Sequence, residues 1–195
     1  MITDKGYFDK FIAIDCATSG INRDADNPSK DYQSVSWGII VASVKDFKPI
    51  DGLYTEIKWN GMSKWDPKAE EVHGLSKDYL NKNGVTEAEA AEEIGGLLFE
   101  HFGIDVPITL LGHNVVSFDL PFLKKLLHSN DLLFKFSNRH MDTFSLAMGT
   151  VQTYNSDDLF DLMGCTKRGI HNALDDANFA LKTYQIINKI WKTYV

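Results

Sequence analysis

The chain is poor in cysteine, in long apolar runs and in positive charge, and each shortage narrows what it can be. Two cysteines among 195 residues, Cys16 and Cys165, cannot frame a disulfide-stapled fold. Reduced thiols, each serving as a small core residue, are the expectation. No run of about 18 apolar residues occurs, so no membrane-spanning helix is expected. The opening MITDKGYFDK has neither the basic start nor the apolar stretch of a secretory signal, which points to a cytoplasmic protein. Repeats, low-complexity tracts and long linkers are also lacking. Lysine and arginine number 20 against 27 acidic residues, a net charge of −7. That argues against broad, non-specific wrapping of nucleic acid, which needs a basic face. It leaves room for an enzyme that grips a few nucleotides and carries its positive charge as metal ions bound by carboxylates.

What is present reads as one domain over residues 1–195, at 44% hydrophobic and 24% charged, ordinary for a globular protein. Residues 11–16 (FIAIDC), 34–43 (SVSWGIIVAS) and 53–59 (LYTEIKW) predict three strands. The short connection around Lys48–Gly52 makes them an antiparallel meander. Thr86, with Glu89 three residues on, opens a helix over 86–102 as a capping box, weakened by Gly95 and Gly96. A short strand at 108–111, a helix near 119–129 with Pro121 in its first turn, a strand through His140–Asp142 and a helix at 143–148 follow. The last helix carries one apolar stripe of Ala173, Ala177, Ala180, Tyr184, Ile187 and Trp191. This order predicts an α/β fold, a central mixed five-stranded sheet (the meander plus two further strands) flanked by helices. No glycine-rich turn follows the first strand, which disfavours a dinucleotide-binding fold.

Three segments carry acidic or imidazole groups at element ends. In Asp15-Cys16-Ala17-Thr18-Ser19-Gly20 an apolar strand ends in a carboxylate. Alternation puts Asp15 and Ala17 on one face and Ile14 and Cys16 on the other. Taken alone, a turn-capping Asp is the better reading. In Gly112-His113-Asn114-Val115-Val116-Ser117-Phe118-Asp119 a strand leads to a helix start, where Asp119 could simply stabilise the first turn and Asn114 be a turn residue. The third segment, His171-Asn172-Ala173-Leu174-Asp175-Asp176, opens the last helix. Its spacing recurs at His73 and Asp78, so only its position sets it apart. Asp175 is expected to face solvent.

In order and spacing these segments resemble the DEDDh 3′→5′ exonuclease superfamily, which includes proofreading exonucleases, oligoribonucleases and RNase T-like enzymes. The likeness runs from Phe11 to about Trp191, and Val72-His73-Gly74-Leu75 and Met141-Asp142-Thr143 add softer matches. The resemblance implies an RNase H-like fold and a two-metal hydrolase that removes nucleotides from single-stranded 3′ ends of DNA or RNA. Mg²⁺ or Mn²⁺ would be held by Asp15, Asp119 and Asp176, with His171 as general base. Thr18, Ser19, Gly20, Ile21, His73, Asn114 and Phe118 would line the nucleoside pocket. Lys167 and Arg168 would be phosphate contacts, whereas Lys124 and Lys125 read better as a solvated helix face. Phe118 is nearly as good a core residue.

One position departs from the pattern. Ala17 stands where the family has Glu, and alanine cannot bind a metal. Because the other acids and His171 are intact, an introduced Glu→Ala change is favoured over natural decay, and impaired cleavage with two ions only in the restored enzyme is expected. The alternatives are a naturally inactive nucleic-acid-binding module and a phosphodiesterase of di- or cyclic oligonucleotides. Oligomeric state is open, a homodimer included.

Overall fold

A computed structural model describes residues 9–22, 27–153, 155–165 and 170–194. The first three strands are β1 (Lys10–Thr18), β2 (Ser34–Ser43) and β3 (Pro49–Glu56). Helices α1 (Pro67–His73), α2 (Lys77–Asn83) and α3 (Glu87–Phe102) follow, then β4 (Leu110–Gly112), α4 (Asp119–His128) and β5 (Met141–Asp142). Helices α5 (Thr143–Thr150), α6 (Ser156–Leu162) and α7 (Ala173–Tyr194) complete the order. The strands form one sheet in the order β3-β2-β1-β4-β5. Pairing of β1 with β2 and of β2 with β3 is antiparallel, whereas β4 runs parallel to β1 and β5 to β4. The mixed five-stranded α/β architecture is therefore as the sequence predicts.

Alternation along β1 divides the core. Ile12, Ile14 and Cys16 belong to a cluster with Trp37, Ile39 and residues of α3 and α4. Phe11 and Ala13 face the other way, into a cluster with Ile40, Leu111, Ala177, Ala180 and Leu181. Both faces of the central strand are covered, which is why its sequence is a continuous apolar run rather than an alternating one. Continued by two residues, the same parity puts Asp15 and Ala17 on the α7 side and Cys16 on the α4 side.

Several boundaries differ from expectation. β3 begins at Pro49 rather than residue 53, and the turn lies earlier, with Phe47 N–H bonded to Ser43 O at 2.9 Å. Proline is tolerated there because β3 is an edge strand and Pro49 its first residue. Helices α1, α2 and α6 were not foreseen. Each has seven residues, too short for an apolar period to show, and each is started by a side-chain cap from Asp66, Ser76 or Asn155. The capping box at Thr86 and Glu89 forms as read. The stripe on α7 is only partly buried. Ala173, Ala177 and Ala180 are inside, and Tyr184 stacks 5.9 Å from Phe47, but Trp191 is 68% exposed because the helix outruns the sheet. Both cysteines are buried and neither is in a disulfide.

Candidate active site

The chemistry-bearing segments meet at the end of β1. A cavity of about 380 Å³ opens there, lined by Asp15, Ala17, Thr18, Gly20, Ile21, His73, Phe118, His171 and Asp176 among others. Its placement depends on Gly38, which pairs with Asp15 across β1 and β2. A Cβ on Gly38 would lie 2.3 Å from the Ala173 carbonyl carbon and the Leu174 nitrogen. The bare glycine thus lets the first turn of α7 rest directly on the sheet beside Asp15. Asn172 starts that turn, its Oδ1 accepting from Leu174 N–H (3.0 Å) and Asp175 N–H (3.2 Å). One turn on, Asp176 is buried, while Asp175 is exposed as expected. His171 Nδ1 lies 3.3 Å from Asp176 Oδ2, and the His171 N–H is held by Val72 O at 3.1 Å, linking α7 to α1.

Asp119 does not cap its own helix. Although it is the first residue of α4, its Oδ1 accepts from the Cys16 N–H at 2.9 Å, a contact between residues 103 apart. The carboxyl is 1% exposed and its Oδ2 has no hydrogen-bond partner. Burial pushes its pKa up to about 7, against the pull of the Cys16 donors. Burial likewise raises the Cys16 thiol, and the charges of Asp119 and Asp15 add to that rise. Asp119 therefore reaches the backbone of Cys16, a cavity-lining residue, but does not itself line the cavity, whereas Asp15 and Asp176 do.

The remaining candidates divide. His73 is 4% exposed; its Nδ1 accepts from Leu75 N–H at 3.0 Å, and its Nε2 is buried beside the Thr18 backbone. Burial lowers its pKa, so the neutral ring carries its proton on Nε2. Phe118 serves both readings, lining the cavity and packing 5.5 Å from Phe122. Ser19 is fully buried, its Oγ accepting from Gln33 N–H, and does not line the cavity. Asn114 lies outside it too, in a turn at φ 60° held by Asp142, whose carboxylate accepts from the N–H groups of Asn114 and Val115. Lys167 and Arg168 fall outside the described residues. Lys125 is not on a solvated face: its ammonium donates to the carbonyls of Ser29 (3.0 Å) and Tyr32, tying α4 to the segment before β2.

Sequence reasoning missed several residues at the cavity. Asp66 and Lys68 come with the short α1, and Phe160 with α6. His113 lines it too, its Nδ1 3.0 Å from Thr143 Oγ1, which itself donates to Gly112 O. With that hydroxyl proton already used, His113 Nδ1 is the donor. Its place inside the second acidic segment was the only available signal.

The donors suit a divalent cation in kind. They are hard carboxylate oxygens, one of them an orphaned buried Oδ2, and such a group is tenable only protonated or beside a cation. The set is not closed, however. Among the described residues, the three donors mutually within 4.8 Å are Asp51, Glu100 and His101, where β3 meets the end of α3 and His101 Nε2 is 2.8 Å from Asp51 Oδ2. Asp15, Asp119 and Asp176 do not form such a group, and of the three only Asp15 and Asp176 line the cavity, with the methyl group of Ala17 beside them.

No family model and no curated protein sequence matches the chain. Solved structures do. Zinc-bound E. coli exonuclease I with single-stranded DNA matches at a TM-score of 0.71 and 16% identity, covering 94% of this chain and 41% of that one. E. coli exonuclease I with a 5cy-dT13 oligonucleotide gives 0.73 and 16% over the same shares, 94% and 41%. Product-bound exonuclease I gives 0.69 and 18%, over 93% and 44%. The chain has the fold of these structures and spans about two fifths of their length.

Proposed function

We propose that this chain is a 3′→5′ exonuclease domain over residues 1–195, acting on single-stranded ends and impaired at position 17. The observation that carries the reading is the convergence of Asp15, Ala17, His171 and Asp176 on one cavity, with Asp119 bound to the N–H of Cys16 in its wall. Two further facts support it. The fold is that of exonuclease I, a protein solved with single-stranded DNA, and three segments dispersed over the sequence supply the site.

Divalent ions, Mg²⁺ or Mn²⁺, held by Asp15, Asp176 and Asp119, would supply the positive charge that phosphodiester cleavage needs at the attacking and leaving oxygens. The chain's own groups do the rest. With Nδ1 turned to Asp176, the His171 ring keeps Nε2 to accept a proton from water, and the carboxylate fixes that tautomer. His73 offers a neutral Nε2–H to an acceptor on the nucleotide. Ile21 and Phe118 give the cavity apolar walls against which a base can pack without regard to sequence.

Ala17 gives one specific alternative its support, a module that binds nucleic acid without cutting it. A side-by-side nuclease assay with Mn²⁺ separates the two readings. Ala17→Glu should gain cleavage by at least about a hundredfold, a loss typical of removing one transition-state contact, and the gain should vanish when His171→Gln is added. No cleavage by Ala17→Glu would refute the exonuclease reading, and equal cleavage by both proteins would refute the impairment at position 17.

A further inference from the structure

Beside the cavity, Lys77 is clasped by two tryptophans. Its ammonium lies 4.1 Å from the ring centroid of Trp59 and 5.3 Å from that of Trp65. Among the described residues it forms no ion pair. Indole faces orient a cation without neutralising it as a carboxylate would, so the charge stays available to an anion. Both indoles are part-exposed, and each is anchored by its N–H: Trp59 Nε1 to Ser63 O at 2.9 Å, Trp65 Nε1 to Glu70 Oε2 at 2.8 Å. Their edges are fixed.

This cluster is continuous with the cavity. Trp65 meets His73 edge-on, centroids 6.3 Å apart and planes at 90°, and His73, Lys68 and Val72 line the cavity. Val72 is 51% exposed, and beyond Trp59 a turn displays Met62 at 92% exposure. That turn is rigid, because Asn60 Oδ1 accepts from the N–H groups of Met62 (3.0 Å) and Ser63 (2.8 Å). An apolar and aromatic track with an unneutralised lysine, on a chain of net charge −7, has the make-up that single-stranded nucleic acid calls for: π faces for bases and a cation for the backbone.

We propose that Trp59, Lys77 and Trp65 form an upstream site for single-stranded nucleic acid, where Lys77 neutralises a phosphate and the indoles receive bases as the strand leaves the cavity past His73 and Lys68. This rests on the reading of the cavity as the seat of the terminal nucleotide. The test is fluorescence anisotropy with 5′-dye-labelled thymidylates, a dinucleotide and a strand of roughly ten nucleotides, across a salt series. The proteins are the full chain, Lys77→Met and Trp59→Ala, with thermal unfolding run on each. For the longer strand each variant should bind roughly tenfold more weakly, and the salt slope of Lys77→Met should be shallower by about 0.7. Dinucleotide affinity should be unchanged. Lys77→Met binding the longer strand as the parent does would overturn the site, and so would equal weakening at both lengths, which marks a merely structural cluster. Absence of binding at both lengths by the parent chain would overturn the cavity reading, and this one with it.

Discussion

Replacing Asp119 with Asn should remove the pH dependence of stability that one buried carboxyl imposes. The carboxyl is 1% exposed, has a single backbone donor at 2.9 Å, and its other oxygen has no partner. Burial raises its pKa from 3.8 to about 7. The folded state therefore holds the proton more tightly than the unfolded one. The resulting stabilisation is whole below pH 3.8 and is lost as pH rises towards about 7, a total of about 4 kcal/mol. Asn keeps the acceptor for Cys16 N–H but puts an NH₂ where Oδ2 has no partner, at a pH-independent cost of about 1–3 kcal/mol. In chelator, urea unfolding should find Asp119→Asn the less stable protein near pH 4 and at least as stable as the parent near pH 8. Mn²⁺ should stabilise the parent at the alkaline end, through an ion that binds only the native site, and should do less for the variant. The difference between the two proteins isolates this group from every other that titrates. Parallel curves for parent and variant, with and without Mn²⁺, would refute the reasoning.

Gly38→Ala would drive a methyl group into the Ala173 backbone 2.3 Å away. Urea unfolding should show a loss of about 3 kcal/mol or more, and in the Ala17→Glu background nuclease rate should fall with it as His171 and Asp176 shift. Lys125→Met removes the tie to the Ser29 and Tyr32 carbonyls and should cost about 1–3 kcal/mol in thermal unfolding. Oligonucleotide affinity should be unaffected, and a marked drop would make Lys125 a phosphate contact after all.

Much of this architecture is legible in the chain, because apolar periodicity reports burial directly. The FIAIDC run, the capping box at Thr86 and Glu89 and the alanine spacing at the start of α7 each specify an element that forms. What stayed hidden depends on tertiary contact. Asp119 at a helix start reads as a cap, and only the fold shows it reaching across to Cys16. Gly38 reads as a weak point in a strand until α7 is seen lying on it. Helices of seven residues leave no period to count, so Asp66, Lys68 and Phe160 could not be placed at the cavity. Lys125 illustrates the converse, since its charge suggested solvent while the fold uses it to satisfy two backbone carbonyls.

On the proposed function, Asp15, Asp176 and Asp119 hold divalent ions at one cavity. Titration of Mn²⁺ followed by electron paramagnetic resonance tests it directly, using Ala17→Glu with and without Asp15→Asn. Two ions should bind Ala17→Glu, and Asp15→Asn should release both. Binding that is indifferent to Asp15 would contradict it and place the metal elsewhere, with Asp51, Glu100 and His101 the first place to look.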